Sequence, residues 1–420
     1  MTGRAREHSA VTLVVLAAVG LTVAPAALAQ RYGVTDLPTL GGNFTQALGL
    51  NDPADAAGLS RREGQTFWDA VLWPRSGGVI DLGLMGGTSN QANDVNNAGR
   101  IAGTMFDQNT GTFTAWIWEG GNATPIFTGG GANAINELGE VAGFRNGPVL
   151  WLPVPNYGLP AGVNGLASVG WHDGSAMGLN NLGQVVGQSV TPGGQVRPFL
   201  WLPAPAYGLP AGMNDLGVLG AGPLHAAYDL NNLGQVVGWS DLEAGVRRPF
   251  LWLPAPAYGL SAGLHNLGTL GGSGPGQNNW ANAINAAGQV VGQAETAGGR
   301  MHAFIWQNRV MTDLNDRIPV GSGWELVEAT DDNTSGQIVG LGTLSGQTRA
   351  FLLTPRRLGD LNCDGVVNNF DIDPFVLALT DPAGYAQKFP DCDRMLADCN
   401  ADGEVNNFDI DPFVKLLTPF

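Results

Sequence analysis

Two short stretches near the carboxyl end of the chain have the residue types and spacing of a cation-binding loop. Residues 360–371 and 398–409 both follow the twelve-residue pattern D-x-N-x-D-G-x5-D. A tight loop can direct six to eight oxygen atoms at one hard cation, which is the coordination that Ca²⁺ prefers. The two stretches therefore predict two calcium sites, with Gly365 and Gly403 at the sharp turn in the sixth position.

The predicted ligands are the side chains at positions one, three, five, nine and twelve of each loop and the backbone carbonyl at position seven. They are Asp360, Asn362, Asp364, Val366, Asn368 and Asp371 in the first loop, and Asp398, Asn400, Asp402, Glu404, Asn406 and Asp409 in the second. Position nine acts directly or through water. Asp replaces the usual Glu at position twelve, so its shorter arm requires a tighter loop. Loops without metal are the alternative, but their crowded carboxylates would repel one another.

A helix is predicted after each loop. In the first unit Asp373-Pro374 suits a first helical turn, and Ile372, Phe375, Val376 and Leu379 are expected on one face. No helix is expected before the first loop, where the chain reads TPRRLG. The region 356–420 is therefore predicted to be a small all-α domain of two calcium loop–helix units.

This duplicated unit resembles a type I dockerin domain, in the cysteine-containing variant of exported planctomycete-type bacterial proteins. The resemblance covers nearly all of residues 356–420 and implies a cohesin-like partner on a cell-surface or scaffold protein. The resemblance also implies that loop positions ten and eleven contact and recognise the partner. These positions are Asn369-Phe370 and Asn407-Phe408 here. These pairs differ from the Ser/Thr pairs of cellulosomal dockerins, and their identity would permit two docking orientations. An exported protein tends to oxidise its cysteines, and a bridge from Cys392 to Cys399 is favoured over one with Cys363.

The first 350 residues contain a repeat whose clearest copies are LNNLGQVVG at 179–187 and 230–238. The first glycine of each copy lies at 99, 139, 183, 234, 288 and 336, and a degraded copy begins at Asn51. Successive glycines are therefore 40 to 54 residues apart, and repeats of this length indicate propellers, solenoids or arrays. Asn-x-x-Gly fits a β-turn, and the β-branched and aromatic segments that follow it fit strands. The repeat is therefore predicted to be structural.

Each end of the repeat region contains the part of a repeat unit that the other end lacks. The chain from Tyr32 begins with the third element of a unit, and the last unit stops at Pro355 without one. In a closed β-propeller the N-terminal strand would fill that gap and remove the exposed strand edges. A solenoid would instead require polar capping repeats. The sequence predicts a mainly β fold in which residues 30–355 form a seven-bladed β-propeller closed by the N-terminal strand, with six or eight blades as alternatives.

The segments GQVVG, HAFIW and DLGTLGG also resemble the HAF-repeat family of exported proteins, and this resemblance implies an extracellular setting. Residues 1–29 are predicted to be a signal peptide, with Arg4 and Arg6 before an apolar run and Ala27-Leu28-Ala29 at the cleavage site; an uncleaved anchor is the alternative. No other stretch is apolar for long enough to span a membrane. The net charge of −16 argues against nucleic acid as a partner.

Three functions remain open at this point. The favoured one is an exported, non-catalytic protein anchored by a calcium-dependent dockerin–cohesin interaction, whose propeller displays or binds an extracellular ligand. The alternatives are a polysaccharide-active enzyme and a purely structural C-terminal domain. Catalysis is disfavoured because no cluster of Asp, Glu, His, Tyr or Arg compellingly breaks the repeat symmetry; Glu325 and Glu328 come nearest to one. Tyr157, Tyr207 and Tyr258, in equivalent Pro-rich loops, are the candidate patch for a glycan or peptide, with loop decoration as the alternative.

Overall fold

The computed structural model describes residues 30–83, 86–166, 172–272, 278–390, 392–400 and 402–417. The predicted signal peptide, residues 1–29, lies outside the described residues. The described chain is mainly β; its α-helices are short and follow the strands, and a 3₁₀ turn at Leu314–Arg317 lies between two of the strands. The strands as far as residue 202 are β1 (Arg31–Asp36), β2 (Gly41–Leu50), β3 (Ala56–Arg62), β4 (Asp69–Trp73), β5 (Ile80–Gly83), β6 (Ser89–Val95), β7 (Ile101–Asp107), β8 (Thr112–Glu119), β9 (Asn122–Thr128), β10 (Gly131–Ile135), β11 (Val141–Phe144), β12 (Pro148–Leu152), β13 (Gly162–Gly165), β14 (His172–Leu179), β15 (Val185–Val190) and β16 (Val196–Leu202).

Twelve more strands follow before the helical region. They are β17 (Gly212–Asp215), β18 (His225–Leu230), β19 (Val236–Glu243), β20 (Val246–Leu253), β21 (Gly263–Asn266), β22 (Trp280–Ile284), β23 (Val290–Glu295), β24 (Met301–Gln307), β25 (Val310–Asp313), β26 (Trp324–Asp332), β27 (Ile338–Leu344) and β28 (Gln347–Arg356). The helices are α1 (Ile372–Thr380), α2 (Pro382–Lys388) and α3 (Ile410–Leu417). No helix in the described part of the chain is both long and apolar enough to cross a bilayer.

Five of the sequence repeats each form a four-stranded sheet. Strands β6–β9, β10–β13, β14–β17, β18–β21 and β22–β25 form five four-stranded sheets in chain order, with antiparallel neighbours. The other strands form one sheet of order β26-β27-β28-β2-β3-β4-β5, in which β2 and β28 share a single parallel pair, Phe44 with Thr348. Strand β1 pairs antiparallel with β28 from Arg31↔Arg356 to Asp36↔Phe351. The first strand of the described chain therefore lies beside the last.

The Asn-x-x-Gly motif forms the turn between the first two strands of a sheet. In the copy at Asn180, the side-chain oxygen accepts hydrogen bonds from the backbone N–H groups of Leu182 and Gln184, both at 3.0 Å. Gly183 adopts a φ of +70°, in the left-handed region that glycine occupies without strain. The turn residues predicted from the sequence are therefore confirmed, and the asparagine holds the turn as expected of this side chain.

The same asparagines also join the sheets to one another. The side-chain N–H of each donates to the backbone carbonyl of the asparagine in the next copy, at 2.9–3.2 Å. In order the bonds run through Asn51, Asn96, Asn136, Asn180, Asn231, Asn285 and Asn333, and from Asn333 back to Asn51. We call this set the asparagine ring. Its last bond joins residues 282 positions apart in the chain.

The core lies within and between these sheets, and the repeat supplies its residues in register. Phe199, Phe250, Phe304 and Phe351, on the third strand of their sheets, are completely buried. The glycine that ends QVVG leaves room for this ring, since a Cβ added at Gly292 would lie 3.0 Å from Phe304 Cε1 and 2.1 Å from the carbonyl oxygen of Trp280. A side chain at this glycine would therefore displace the aromatic core.

Beyond β28 the chain forms the predicted loop–helix units. Helix α1 follows the first loop and α3 the second, so both predicted helices are confirmed. The predicted apolar face of α1 is only partly correct: Phe375 is buried, whereas Ile372 and Val376 are exposed. Phe375 instead packs on Phe413, its counterpart in the second unit, with ring centroids 4.0 Å apart and planes 2° from parallel.

Candidate functional site

The first predicted calcium loop curls around its own carboxylates. Asp360 Oδ2 accepts the backbone N–H of Gly365 at 3.0 Å. Asn362 Oδ1 accepts the N–H of Asp364 at 2.9 Å, and Asp364 Oδ1 accepts the N–H of Val366 at 2.9 Å. Gly365 has a φ of +91°, which a residue with a Cβ would resist. The turn at Gly365 therefore folds the loop back on its first predicted side-chain ligand, Asp360.

Asp371, at position twelve, closes the loop from the helix side. It is completely buried; its Oδ1 accepts the N–H groups of Leu361 and Asn362 at 2.8 and 3.1 Å, and its Oδ2 accepts that of Asn368 at 2.9 Å. These bonds hold the short aspartate arm against both ends of the loop. Asp371 therefore reaches both ends of the loop despite its short side chain.

The second loop repeats this arrangement. Asp398 Oδ2 accepts the N–H of Gly403 at 3.0 Å. Asp409 is completely buried, and it accepts the N–H groups of Asn400 and Asn406 at 3.0 and 2.9 Å. Asn406 caps the turn that leads into α3, as Asn368 does before α1. Two loops with the same sequence pattern thus adopt the same hydrogen-bonded form.

The donor set of these loops fits a hard cation. Asp360 is 1% exposed, and its Oδ1 has no hydrogen-bond partner among the described residues. Burial raises the pKa of Asp360, as do the nearby charges of Asp371 and Asp364, although the Gly365 N–H lowers it. Such crowding of carboxylates is relieved by a bound cation. Among the described residues, no three side chains of His, Cys, Asp and Glu form a metal-binding group, so a bound ion would also need amide and carbonyl oxygens.

The predicted partner-reading residues lie on the surface beside the loops. Phe370 is 73% exposed and Phe408 79% exposed, and Asn369 and Asn407 precede them in short 3₁₀ turns. Four more apolar side chains, at equivalent positions of α1 and α3, are exposed beside them: Ile372, Val376, Ile410 and Val414. We call Phe370, Phe408 and these four residues the exposed apolar set. It consists of matching residues from the two halves, as a pseudo-twofold unit requires.

The disulfide differs from the pairing favoured on sequence grounds. Cys363 and Cys392 form the bridge, with Cα atoms 5.9 Å apart, and Cys399 is a buried free cysteine. The prediction of a bridge between Cys392 and Cys399 is therefore wrong. Nearness in sequence favoured it, whereas the fold brings Cys363 of the first loop to within bridging distance of Cys392.

Tyr157, Tyr207 and Tyr258 lie at equivalent positions, as predicted, and each is already engaged inside the molecule. Their hydroxyl groups contact Glu140, Gln184 and Gln235, respectively, at 3.0–3.2 Å. Each ring also packs against the turn glycine of the next repeat: a Cβ at Gly183 would lie 2.2 Å from Tyr157, at Gly234 2.4 Å from Tyr207 and at Gly288 1.7 Å from Tyr258. These contacts occupy one part of each ring, and only the remainder is available to a ligand.

The two glutamates nearest to a symmetry-breaking cluster also have partners. Glu328 Oε1 accepts hydrogen bonds from Trp280 Nε1 at 3.0 Å and from Asn282 Nδ2 at 2.9 Å. Glu325 forms an ion pair with Arg300. His302 and Asp313 form a nearby pair that joins the third and fourth strands of their sheet. Arg349 and Asp36 form a similar pair between the neighbouring strands β28 and β1.

Sequence reasoning missed an aromatic cleft between two of the sheets. It has a volume of about 360 Å³ and is lined by Thr66, Phe67, Trp68, Ser89, Gln91, Thr104, Phe106, Gln108 and Phe113. Phe67 and Phe113 are 37% and 39% exposed, and the rings of Phe106 and Phe113 lie 4.7 Å apart. We call it the aromatic cleft. Its signal in the sequence is a group of aromatic residues in two neighbouring repeats that the other repeats do not share.

Comparisons with known proteins give a fold-level likeness and nothing closer. No family model matches the chain, and no curated protein matches it. Among solved structures, the β-propeller domain of the Trilobed protease from Pyrococcus furiosus is 9% identical, with a TM-score of 0.44, over 77% of this chain and 93% of that one. Puromycin hydrolase is 14% identical, with a TM-score of 0.46, over 75% of this chain and 53% of that one. Trypanosoma rangeli sialidase is 10% identical, with a TM-score of 0.36, over 74% of this chain and 54% of that one. The structural neighbours of this mainly β chain are thus propeller proteins.

These neighbours correct one prediction. The chain was expected not to be an enzyme, but the solved structures to which it is similar include two enzymes, puromycin hydrolase and the sialidase. The prediction that the chain is not an enzyme therefore does not stand. At these identities and TM-scores the likeness concerns the fold alone and assigns no reaction to this chain.

Proposed function

We propose that this chain is an exported protein whose C-terminal region binds two calcium ions and docks on a cohesin-like surface or scaffold protein. The observation that carries this proposal is the exposed apolar set, which we propose is the docking surface. Phe370 and Phe408 are largely exposed, whereas Phe375 and Phe413 are buried and stacked on each other. Apolar surface of this kind, matched between the two halves, is characteristic of an interaction site.

Calcium and docking are linked through the geometry of each loop. Asn368 Oδ1 accepts the N–H of Phe370 at 2.7 Å, and Asn368 is also a predicted calcium ligand. Asn406 holds Phe408 in the same way at 2.8 Å. A cation that fixes the asparagine therefore also fixes the neighbouring phenylalanine, so the proposal requires docking to depend on calcium.

For the rest of the chain we propose a signal peptide at 1–29, a repeat domain at 30–355 and a dockerin-like domain at 356–420. The repeat domain is proposed to be a seven-bladed propeller closed by β1. The asparagine ring supports this blade count because its seven members return to the first. The pairing of β1 with β28 supports the proposed closure.

We propose that the propeller is the part of the protein that binds an extracellular ligand, and that the aromatic cleft is its binding site. Exposed aromatic faces beside Gln and Thr side chains suit a neutral polyhydroxylated ligand such as a glycan, because the rings stack on it while amides and hydroxyls bond it. The Tyr157, Tyr207 and Tyr258 patch remains an alternative site on the same domain.

The docking proposal is tested with the mature full-length chain immobilised as bait against surface and secreted proteins of the source organism. A protein with its own membrane or wall anchor should be captured with calcium and released by chelator. The double change Phe370→Ser/Phe408→Ser should abolish capture, whereas Leu138→Ser, which alters an exposed apolar residue of the repeat region, should leave it intact. Capture that persists in chelator, or in the double variant, would refute the docking role.

A further inference from the structure

The aromatic cleft receives aromatic side chains from two neighbouring sheets. Phe67 and Trp68 come from the loop between β3 and β4. Phe106 and Phe113 come from β7 and β8 of the next sheet. Phe67 and Phe113 are each more than a third exposed, so a ligand can reach both rings. A ligand that enters the cleft therefore meets aromatic surface from both sheets.

Neighbouring side chains hold these rings in place. The guanidinium carbon of Arg61 lies 5.7 Å from the centre of the Trp68 ring. The Phe113 ring packs on Phe106 and Phe144, with centroids 4.7 and 5.8 Å away. Neither Arg61 nor Phe144 lines the cleft, so both support the rings from outside it. Rings that are positioned before a ligand arrives lower the entropic cost of binding.

The polar groups of the cleft are uncharged. None of the described residues that line it is Asp, Glu, Lys, Arg or His, which favours a neutral ligand. Thr66, Gln91 and Gln108 bring hydroxyl and amide groups to the cleft, and both kinds of group can donate to and accept from the hydroxyl groups of a ligand. The cleft volume of about 360 Å³ lies within the usual range of small-molecule sites.

Trp68 and Phe113 occupy the same position in two successive repeats. Each lies three residues before the core residue of the third strand, Val71 in one repeat and Trp116 in the next. The later repeats have no aromatic residue at this position, which holds Asn146, Val196, Arg247, Met301 and Thr348. A ring that the repeat fold itself required would recur in the other copies, so this pair of rings points to a ligand.

A sugar ring held between two aromatic walls must present an apolar face to each of them. A pyranose whose substituents are all equatorial does so, because its axial C–H bonds point to both faces. An axial hydroxyl would instead press a polar group against a ring that cannot bond it. The equatorial hydroxyls lie around the edge of the sugar, where Gln91 and Gln108 can bond them.

We propose that the aromatic cleft binds a β-1,4-linked chain of all-equatorial pyranoses, of the glucan or xylan type. Equatorial linkages keep such a chain flat and extended, so that it can pass between the two walls. This inference rests on the glycan-binding role proposed above and names the class of glycan.

Calorimetry with the mature full-length chain, in the presence of calcium, tests this inference. Cellohexaose or xylohexaose should bind, and these two arms separate the glucan type from the xylan type. Mannohexaose has the same β-1,4 linkage but one axial hydroxyl on each ring, and it should bind about tenfold more weakly, which corresponds to the loss of one aromatic stacking contact. Maltohexaose, whose α-linkage is axial, should be weakened by a similar factor.

Two variants test the two walls separately. Phe67→Ala and Phe113→Ala should each reduce the affinity for the bound hexaose by about tenfold, because each removes one stacking ring. Val310→Ala, which alters an exposed apolar residue outside the cleft, is the control and should bind like the wild type. Both phenylalanines are partly exposed, so the variants are expected to fold, which their thermal unfolding will show.

The outcomes separate this inference from the glycan-binding role on which it rests. If mannohexaose binds as tightly as cellohexaose and xylohexaose, this inference is wrong and the glycan-binding role stands. If none of the oligosaccharides binds, the glycan-binding role fails and this inference fails with it. If both alanine variants bind like the wild type, the sugar lies outside the cleft and both are wrong.

Discussion

At the scale of single residues, the position-twelve aspartates decide whether the C-terminal loops close. We expect Asp371→Asn to reduce the calcium stoichiometry measured by calorimetry from two ions to one, because the amide has lost one oxygen and the negative charge. Asp373→Asn, two positions away on an exposed part of α1, should leave both sites intact. Two unaltered sites in the Asp371→Asn variant would contradict the predicted ligand set.

His225 gives a residue-scale prediction about pH. Its Nδ1 lies 2.8 Å from Ser240 Oγ and its Nε2 2.9 Å from the carbonyl oxygen of Gly222. Burial lowers the pKa of His225 below its ordinary value of 6.5, and the charge of Arg197 adds to this, while the Gly222 carbonyl raises it. The folded state therefore disfavours protonation.

The stability that neutral His225 contributes is complete above pH 6.5 and is lost as the pH falls below that value. We expect the wild type to lose more free energy of unfolding than His225→Gln between pH 7.5 and 5.5 (about one pH unit either side of the ordinary pKa). Denaturant unfolding at the two pH values measures the difference, in which the titration of all other groups largely cancels. Equal losses in the two proteins would show that His225 titrates normally.

At the scale of structural elements, the repeat turn was predictable because it is local. The bonds of Asn180 to Leu182 and Gln184 span two and four residues, so the letters of one copy specify them. The contacts that join copies were not predictable, since they link residues far apart in the chain. The Tyr207 ring on Gly234 and the last bond of the asparagine ring, from Asn333 to Asn51, are two such contacts.

Two adjacent asparagines of one turn, Asn231 and Asn232, differ in burial and in the number of bonds that they make. Asn231 is buried; it donates to the carbonyl of Asn285 at 3.0 Å and to Gln235 Oε1 at 2.8 Å, and it accepts two backbone N–H groups. Asn232 is exposed and accepts the N–H of Asn181. We expect Asn231→Ala to cost about 2–4 kcal/mol of unfolding free energy, since it leaves several buried groups without partners.

Asn232→Ala is the matched control and should cost less than about 1 kcal/mol, because its partners can bond to water. Chemical denaturation of the two variants with calcium present measures both values. If the two costs are equal, the asparagine ring does not stabilise the joined sheets, and the seven-bladed proposal loses its main support.

At the scale of the whole molecule, the internal duplication made the loops and helices of the C-terminal region predictable. Its cross-links were not predictable. The two loops share the residues of the D-x-N-x-D-G-x5-D pattern, and position one accepts the glycine N–H and position twelve the N–H of position nine in both, so each copy supported the interpretation of the other. The Cys363–Cys392 bridge and the ion pair of Arg31 with Asp393 join segments whose separation in sequence says nothing about their distance in space. Arg31 also donates to the carbonyl of Asp316 at 2.8 Å, so this one side chain of β1 contacts both the repeat region and the C-terminal region.

Strand β1 therefore makes two separable contributions: its backbone pairs with β28, and its Arg31 side chain contacts Asp393. Removing the strand tests whether it closes the repeat region. A mature chain that begins at Leu37 lacks β1 and leaves the outer edge of β28 unpaired. Because an unpaired edge strand is a template for pairing with another chain, we expect this truncated protein to self-associate in sedimentation experiments and to unfold at a lower temperature. Arg31→Ala retains the strand but removes the contact with Asp393; it should remain monomeric while losing stability, because it leaves the buried Asp393 without its cation. A truncated chain that stays monomeric with unchanged thermal stability would show that β1 does not close the repeat domain.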